Sequence, residues 1–412
     1  MACYFISNLS KSKSDLLIKK IYGIVNMLFC CIQLNNGGNY LNIIKKKKRV
    51  LLYGFVLLCI VGSMFVIQNN FDLYDQPIAK VVSVTLKEKE VITESMNKDE
   101  LFYQTLVGKL QNGKQKGQLI ALENTYSSSG AFDHKYQLGD ELFISLQKNK
   151  GDAQLTGTID GPKRDKYVVA AAWLFVLTVL LVGKKSGLFS LISLAINILV
   201  LYLALNSYIH SESASLWLIS SGLVVFFTIT SLVLVSGKNE KTFVAIIATL
   251  IGTFSALLIA YIAMALTAEK GLRYEEMAFI TRSPQKVFLA SILIGSLGAV
   301  MDIAITITSS LYELYDKNHN ISLKDLKASG TDIGKDIMGT MMNVLFFAYV
   351  SGGIPMILLY LINGSTWGYT LSMNLSLELT RALVGSIGIV LTVPISIHTT
   401  LYFIRKRRRA IK

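Results

Sequence analysis

The chain has 412 residues, of which 52% are hydrophobic and 17% charged, and a mean hydropathy of +0.48, values that exclude a soluble globular protein of this length and make the bilayer its solvent. Its net charge of +14 sits at the two ends: residues 1–49 carry nine Lys or Arg against Asp15 alone, and 405–412 carry six with no acid. Basic residues beside the first and last apolar runs follow the positive-inside rule; they leave no basic stripe on a folded face, so nucleic acid is excluded as a partner.

Residues 1–49 read as a basic, cytoplasmic N-terminal tail. Within it, the apolar run 21–32 is too brief to span a bilayer, and an Asn- and Gly-rich piece follows. A loosely ordered tail and an over-long start both fit residues 1–44, and no function is assigned to them.

Eight apolar runs follow that are long enough, or nearly so, to cross about 30 Å of hydrocarbon as helices: 50–67, 167–182, 188–205, 215–235, 243–266, 287–310, 338–362 and 379–404. The fold class expected is therefore an α-helical polytopic membrane protein of about eight transmembrane helices. It divides into a first transmembrane helix (50–67), an extracytoplasmic domain (68–165), a seven-helix membrane domain (166–404) and a basic cytoplasmic tail (405–412). An even number of crossings puts both termini in the cytoplasm. Lys184, Lys185, Lys238, Lys241, Lys317, Lys324, Lys327 and Lys335 then fall inside as well. The stretch 268–286 falls outside although it carries Lys270, Arg273, Arg282 and Lys286, and a short surface helix is expected there.

The polar stretch 68–165 has the size of one compact unit. Its runs 79–86, 117–123 and 141–147 alternate with the period of half-buried strands, and Gly139 and Asp140 mark a turn before the third. A small β-rich domain is expected, either barrel or sandwich, with an OB-like barrel the favoured form. It contains none of the four cysteines, Cys3, Cys30, Cys31 and Cys59, so it has no disulfide framework. The four histidines, His134, His210, His319 and His398, stand singly, without zinc-ligand spacing.

A charge inside a span costs about 2.5–3.5 kcal/mol at the helix centre unless a partner or a watery cavity receives it. In the sixth run, Ser291, Gly295, Gly298, Asp302, Thr306, Ser309 and Glu313 follow at steps of three or four and share one helical face. Asp302 is the one carboxylate in its hydrophobic part. The eighth run repeats the pattern with Glu378, Arg381, Gly385, Gly388, Thr392, Ser396 and Thr399; Glu378 and Arg381 are spaced to pair. Asp332, Asp336, Gly339 and Asn343 lead into the seventh, where Gly352, Gly353 and Pro355 are expected to break the helix as in transporters, with Pro394 a second such place.

These stripes read in two ways: as seams that pack helices, or as a polar pathway lined by the last three helices. On the second reading Asp302, Thr306, Ser309, Asn343, Asp336, Asp332 and Glu313 serve a proton or a hard cation such as Mg²⁺ or Mn²⁺. That reading requires Asp302 and Asn343 to share a hollow.

The same segments resemble the YibE/F family of bacterial membrane proteins. The resemblance lies in Gly295-Ser-Leu-Gly-Ala-Val-Met-Asp302-Ile-Ala, Ser309-Ser-Leu-Tyr-Glu313-Leu, Ser329-Gly-Thr-Asp332-Ile-Gly-Lys-Asp336-Ile-Met-Gly-Thr340, Asn343, Ala348-Tyr349, Glu378-Leu-Thr-Arg381 and Gly385-Ser-Ile-Gly388. The domain after the first run is similar to the YibE-like branch. The resemblance implies a multi-pass protein of the bacterial inner membrane, regarded as a permease, working beside a paralogous YibE/F-type partner.

The function expected is a transporter of a small solute, with an inorganic cation or a proton-coupled substrate in view. The alternative is a non-transporting assembly factor or sensor that binds a partner through 68–165. No enzyme and no cofactor are expected: Walker, serine-elbow and zinc-helix motifs are missing. An intramembrane protease would need a second buried carboxylate besides Asp302, and Asp336 sits at the membrane edge.

Overall fold

The computed structural model describes residues 54, 56, 58–94, 97–130, 133–147, 155–211, 215–277 and 283–411. The tail expected over 1–49, with Cys3, Cys30 and Cys31, lies outside the described residues, as does Arg282. Two compact units are present, a β-barrel with its tethers and a bundle of long helices.

Five strands, β1 (Ile78–Glu94), β2 (Asn97–Leu110), β3 (Leu119–Ser127), β4 (Glu141–Gln147) and β5 (Leu155–Pro162), close a barrel in the order β1-β2-β3-β5-β4. It is a barrel and not a sandwich, with the strand number of the OB-like kind. Strands β3 and β5 run parallel, whereas β2–β3, β4–β5 and β1–β4 are antiparallel. Alternate residues enter the core: Leu106 and Leu110 from β2, Ile120 and Leu122 from β3, Leu142 and Ile144 from β4. Register puts Leu106 opposite Leu122 and Ala79 opposite Leu142. At Gly108 a Cβ would lie 2.9 Å from that of Ala79, so the strand can pass this close only without a side chain.

The chain enters and leaves the barrel through a polar clasp. Asn112, 3% exposed, donates from Nδ2 to the carbonyls of Phe71, Tyr74 and Gln76, and its Oδ1 accepts from the Ile78 amide at 2.7 Å. Lys163 has its side chain 2% exposed, with Nζ 3.4 Å from both Glu141 and Asp165 and 5.2 Å from the Phe71 ring centre. The Tyr74 hydroxyl donates to Asp165. Burial, then the Asp165 carboxylate, push the Tyr74 phenol up to about 12 from its ordinary 10.0. The folded chain therefore holds this proton more tightly than the unfolded one. The stability contributed is fully present below the unfolded value and is lost as pH rises through the folded one. Alkaline unfolding curves should show this loss in the parent, and Tyr74→Phe should remove it.

The helices are α1 (Leu58–Gln68), α2 (Asp165–His210), α3 (Leu216–Ser236), α4 (Glu240–Leu266), α5 (Pro284–Lys317), α6 (Leu323–Ile362), α7 (Trp367–Asn374) and α8 (Ser376–Ile411). Six of them, α2 to α6 and α8, are long and apolar enough to cross a membrane. Helix α2 is broken at Lys184, with φ 49 and ψ −120. A Cβ on Gly187 would strike the carbonyl oxygen of Val179, eight residues back. In an unbroken helix those residues stand about 12 Å apart, so the chain doubles back and the runs 167–182 and 188–205 are the two arms of a hairpin.

Helix ends carry their usual signals. Ser322 Oγ accepts from the Asp325 amide at 3.0 Å, Pro284 opens α5, and Gly237 at φ 79 closes α3. A 3₁₀ turn at Tyr274–Met277 stands where a short surface helix was expected, whereas α7 was not foreseen. At the bundle's centre α8 packs against α4, α5 and α6, and α5 also packs against α3 and α4.

Two expectations about continuity are corrected. Helix α6 runs through Gly352, Gly353 and Pro355, and α8 through Pro394. A proline inside a helix deletes one donor and bends the axis, but flanking turns keep their own bonds and the helix resumes. The basic tail is helical too, since α8 continues through Arg405 to Ile411. Arg408 donates to the Ile321 carbonyl at 2.6 Å, and Arg407 lies 3.4 Å from Asp316.

Candidate functional site

A cavity of about 500 Å³ opens between α3, α5 and α6, walled by Ser231 and Ser236, by Gly298 and Asp302, and by Met341 and Leu345 among others. Asp302 lies on the α5 stripe opposite the buried side of that helix, which carries Val300, Ile303, Ala304 and Ile307. Its carboxylate is exposed and has no hydrogen bond or ion pair among the described residues. Ser231 is fixed from behind by α2: Asn197 Nδ2 donates to its Oγ at 2.9 Å, and Ser193 Oγ donates at 3.2 Å. Among the described residues no three His, Cys, Asp or Glu side chains come together as a metal cage. Asp302 is the one carboxylate lining the cavity among the described residues, and Ser231 and Ser236 share its walls.

The pairing of Asp302 with Asn343 is corrected. Met341, Val344, Leu345 and Ala348 turn α6 toward the cavity. At about 100° per residue Asn343 falls on the far side of the helix, where its amide is exposed and unbonded among the described residues. Asp332, Asp336 and Gly339 are exposed like Asn343, and Asp332 pairs with Lys335 at 3.7 Å. Glu313 is exposed and paired with Lys317 at 2.9 Å. Thr306 and Ser309 are half-buried further along the α5 stripe and do not line the cavity.

The α8 stripe is a packing seam, and here too the expectation of three pathway helices is corrected. A Cβ on Gly385 would meet Leu345, and one on Gly388 would lie 3.1 Å from both Ala256 and Val300. Thr392 and Ser396 are fully buried. The third cavity wall comes instead from α3. At its other end the stripe does make the expected pair: Glu378 bonds Arg381, whose Nε donates to Ser291 of α5 at 3.0 Å while its guanidinium stands 5.3 Å over Phe288. Ser231, Ser236 and Asn197 carry no charge and do not stand out in the sequence as the carboxylates do. The spacing of Ser193 and Asn197, four apart in an apolar run, was the available signal.

Residues 171–406 match the family model described as YibE/F-like protein, and residues 72–162 match that of the YibE/F family N-terminal domain. The chain belongs to the YibE/F family. In this YibE/F protein the N-terminal match takes in the whole barrel, and the longer match takes in the cavity with Asp302. Neither a curated protein nor a solved structure matches the chain.

Proposed function

We propose that this YibE/F protein is a permease, not an enzyme, that carries protons, or a small inorganic cation exchanged for them, across the bacterial inner membrane. The observation that carries the reading is Asp302: a carboxylate without a partner among the described residues, on the wall of a cavity between three apolar helices. An ionised carboxylate at the centre of a span costs about 2.5–3.5 kcal/mol, and a cavity that admits water or a cation offsets that cost. A lone carboxylate among hydroxyls is suited to taking up and releasing a proton as the cavity changes its access, and to handling a cation that keeps most of its water. On this reading α1, both arms of α2, and α3, α4, α5, α6 and α8 are eight crossings, both ends lie inside, and Asp302 falls in the cytoplasmic half.

The test is flux in membrane vesicles followed with a pH-sensitive dye, with and without Mg²⁺ or Mn²⁺. Asp302→Asn is expected to lower it about a hundredfold; undiminished flux with normal insertion rejects the assignment. A second reading, an assembly factor or sensor beside a paralogous membrane protein, is favoured by the outward turn of Asp336, Gly339 and Asn343 on α6. Under it, vesicles holding the parent protein would show no flux at all.

A further inference from the structure

The cavity wall formed by α5 reaches Gly298, and that formed by α6 reaches Ala348. One step further along each helix stand Gly295 and Tyr349, and they touch: a Cβ on Gly295 would strike the Tyr349 hydroxyl. By contrast, a Cβ on Gly298 would meet nothing within 4 Å. Beyond Gly295 on the same face comes Ser291, held by Arg381, which is bonded to Glu378. Along one face of α5 thus lie, in order, Asp302, an open stretch at Gly298, Tyr349 of α6 against Gly295, and Ser291 bonded to the charged pair of α8, over about 16 Å of helix.

Given the pathway reading above, on which this rests, we infer that Tyr349 is the seal between the Asp302 cavity and the Glu378–Arg381 pair. The glycine at 295 serves to seat its hydroxyl. The ring blocks passage while its hydroxyl stays on the polar stripe, so a rotation of Tyr349 off Gly295 joins the two polar sites without breaking a helix. Tyr349 is a gating residue, not a ligand of the transported ion.

The test needs no knowledge of the substrate. In the full chain with Cys3, Cys30, Cys31 and Cys59 changed to Ser, Gly298→Cys places one thiol in the open stretch. A membrane-impermeant maleimide is then applied to inside-out and right-side-out vesicles. With Tyr349 intact, the thiol is expected to react from the cytoplasmic face only. Adding Tyr349→Ala or Gly295→Ala should make the thiol react from the opposite face as well, at about a tenth of the cytoplasmic rate or faster, the population shift that follows loss of one contact holding a closed state, with the cytoplasmic rate unchanged. Should Tyr349→Ala fail to insert, Gly295→Ala decides alone. A one-sided reaction in the inserted variants, or a reaction from the opposite face with Tyr349 intact, overturns the seal and leaves the pathway standing. A thiol unreactive from both faces shows a dry cavity and overturns the pathway and the seal together.

Discussion

Lys163→Ala is expected to destabilise the barrel by about 3 kcal/mol, read as roughly hundredfold faster hydrogen exchange at the amides of β1 and β4 in the full-length protein. The ammonium is enclosed by Glu141, Asp165, the Ile67 carbonyl and the Phe71 ring. Removing it leaves two carboxylates facing each other's field with nothing between them. Their side chains keep 13% and 21% exposure, which holds the loss near the low end of the range for a broken buried pair. Lys163→Met, which keeps the apolar stem but not the charge, should lose nearly as much. Exchange at the parent's rate in both variants would mean that Asn112 and the Tyr74–Asp165 bond hold the clasp without the ammonium.

Gly252→Ala should weaken the α4–α8 contact by about 2–3 kcal/mol, measured as a lower midpoint on titration with denaturing detergent. The new methyl would fall on Thr392 Oγ1 and lie 3.3 Å from a Val300 methyl, and both of those residues are fully buried. Thr392 has no free rotation to offer, because its hydroxyl donates to the Gly388 carbonyl at 2.6 Å. Thr392→Ala in the same chain removes the obstruction and should restore most of the midpoint. That non-additive recovery separates a local clash from a general helix-propensity effect, whose sign is opposite since alanine favours helix over glycine. A midpoint raised by Gly252→Ala would show that α4 and α8 stand further apart than described.

The barrel shows how far local pattern reaches. Strands β1, β3 and β4 announced themselves by alternation, whereas β2 and β5 did not. The first begins Asn97-Lys98-Asp99-Glu100, and the second contains Gly157, Asp160, Gly161 and Pro162, turn-forming residues that break up a strand's alternation. Ladder partners on both sides override that local preference, with β2 on β3 and β5 between β3 and β4.

By itself the sequence determined the apolar helical runs, the family, and which residues share a helical face, because hydropathy and the 100° step are properties of one segment at a time. The tertiary structure alone decided which way each face turns. It set the Asp302 stripe of α5 beside a cavity, the Asp336–Asn343 stripe of α6 outward, and the glycine-threonine stripe of α8 against α4, α5 and α6. The same spacing of small and polar residues serves a seam, an open surface or a cavity wall. What distinguishes them is how closely the neighbouring backbone approaches, and that distance is fixed by side chains on other helices, such as Thr392 on Gly252 or Tyr349 on Gly295.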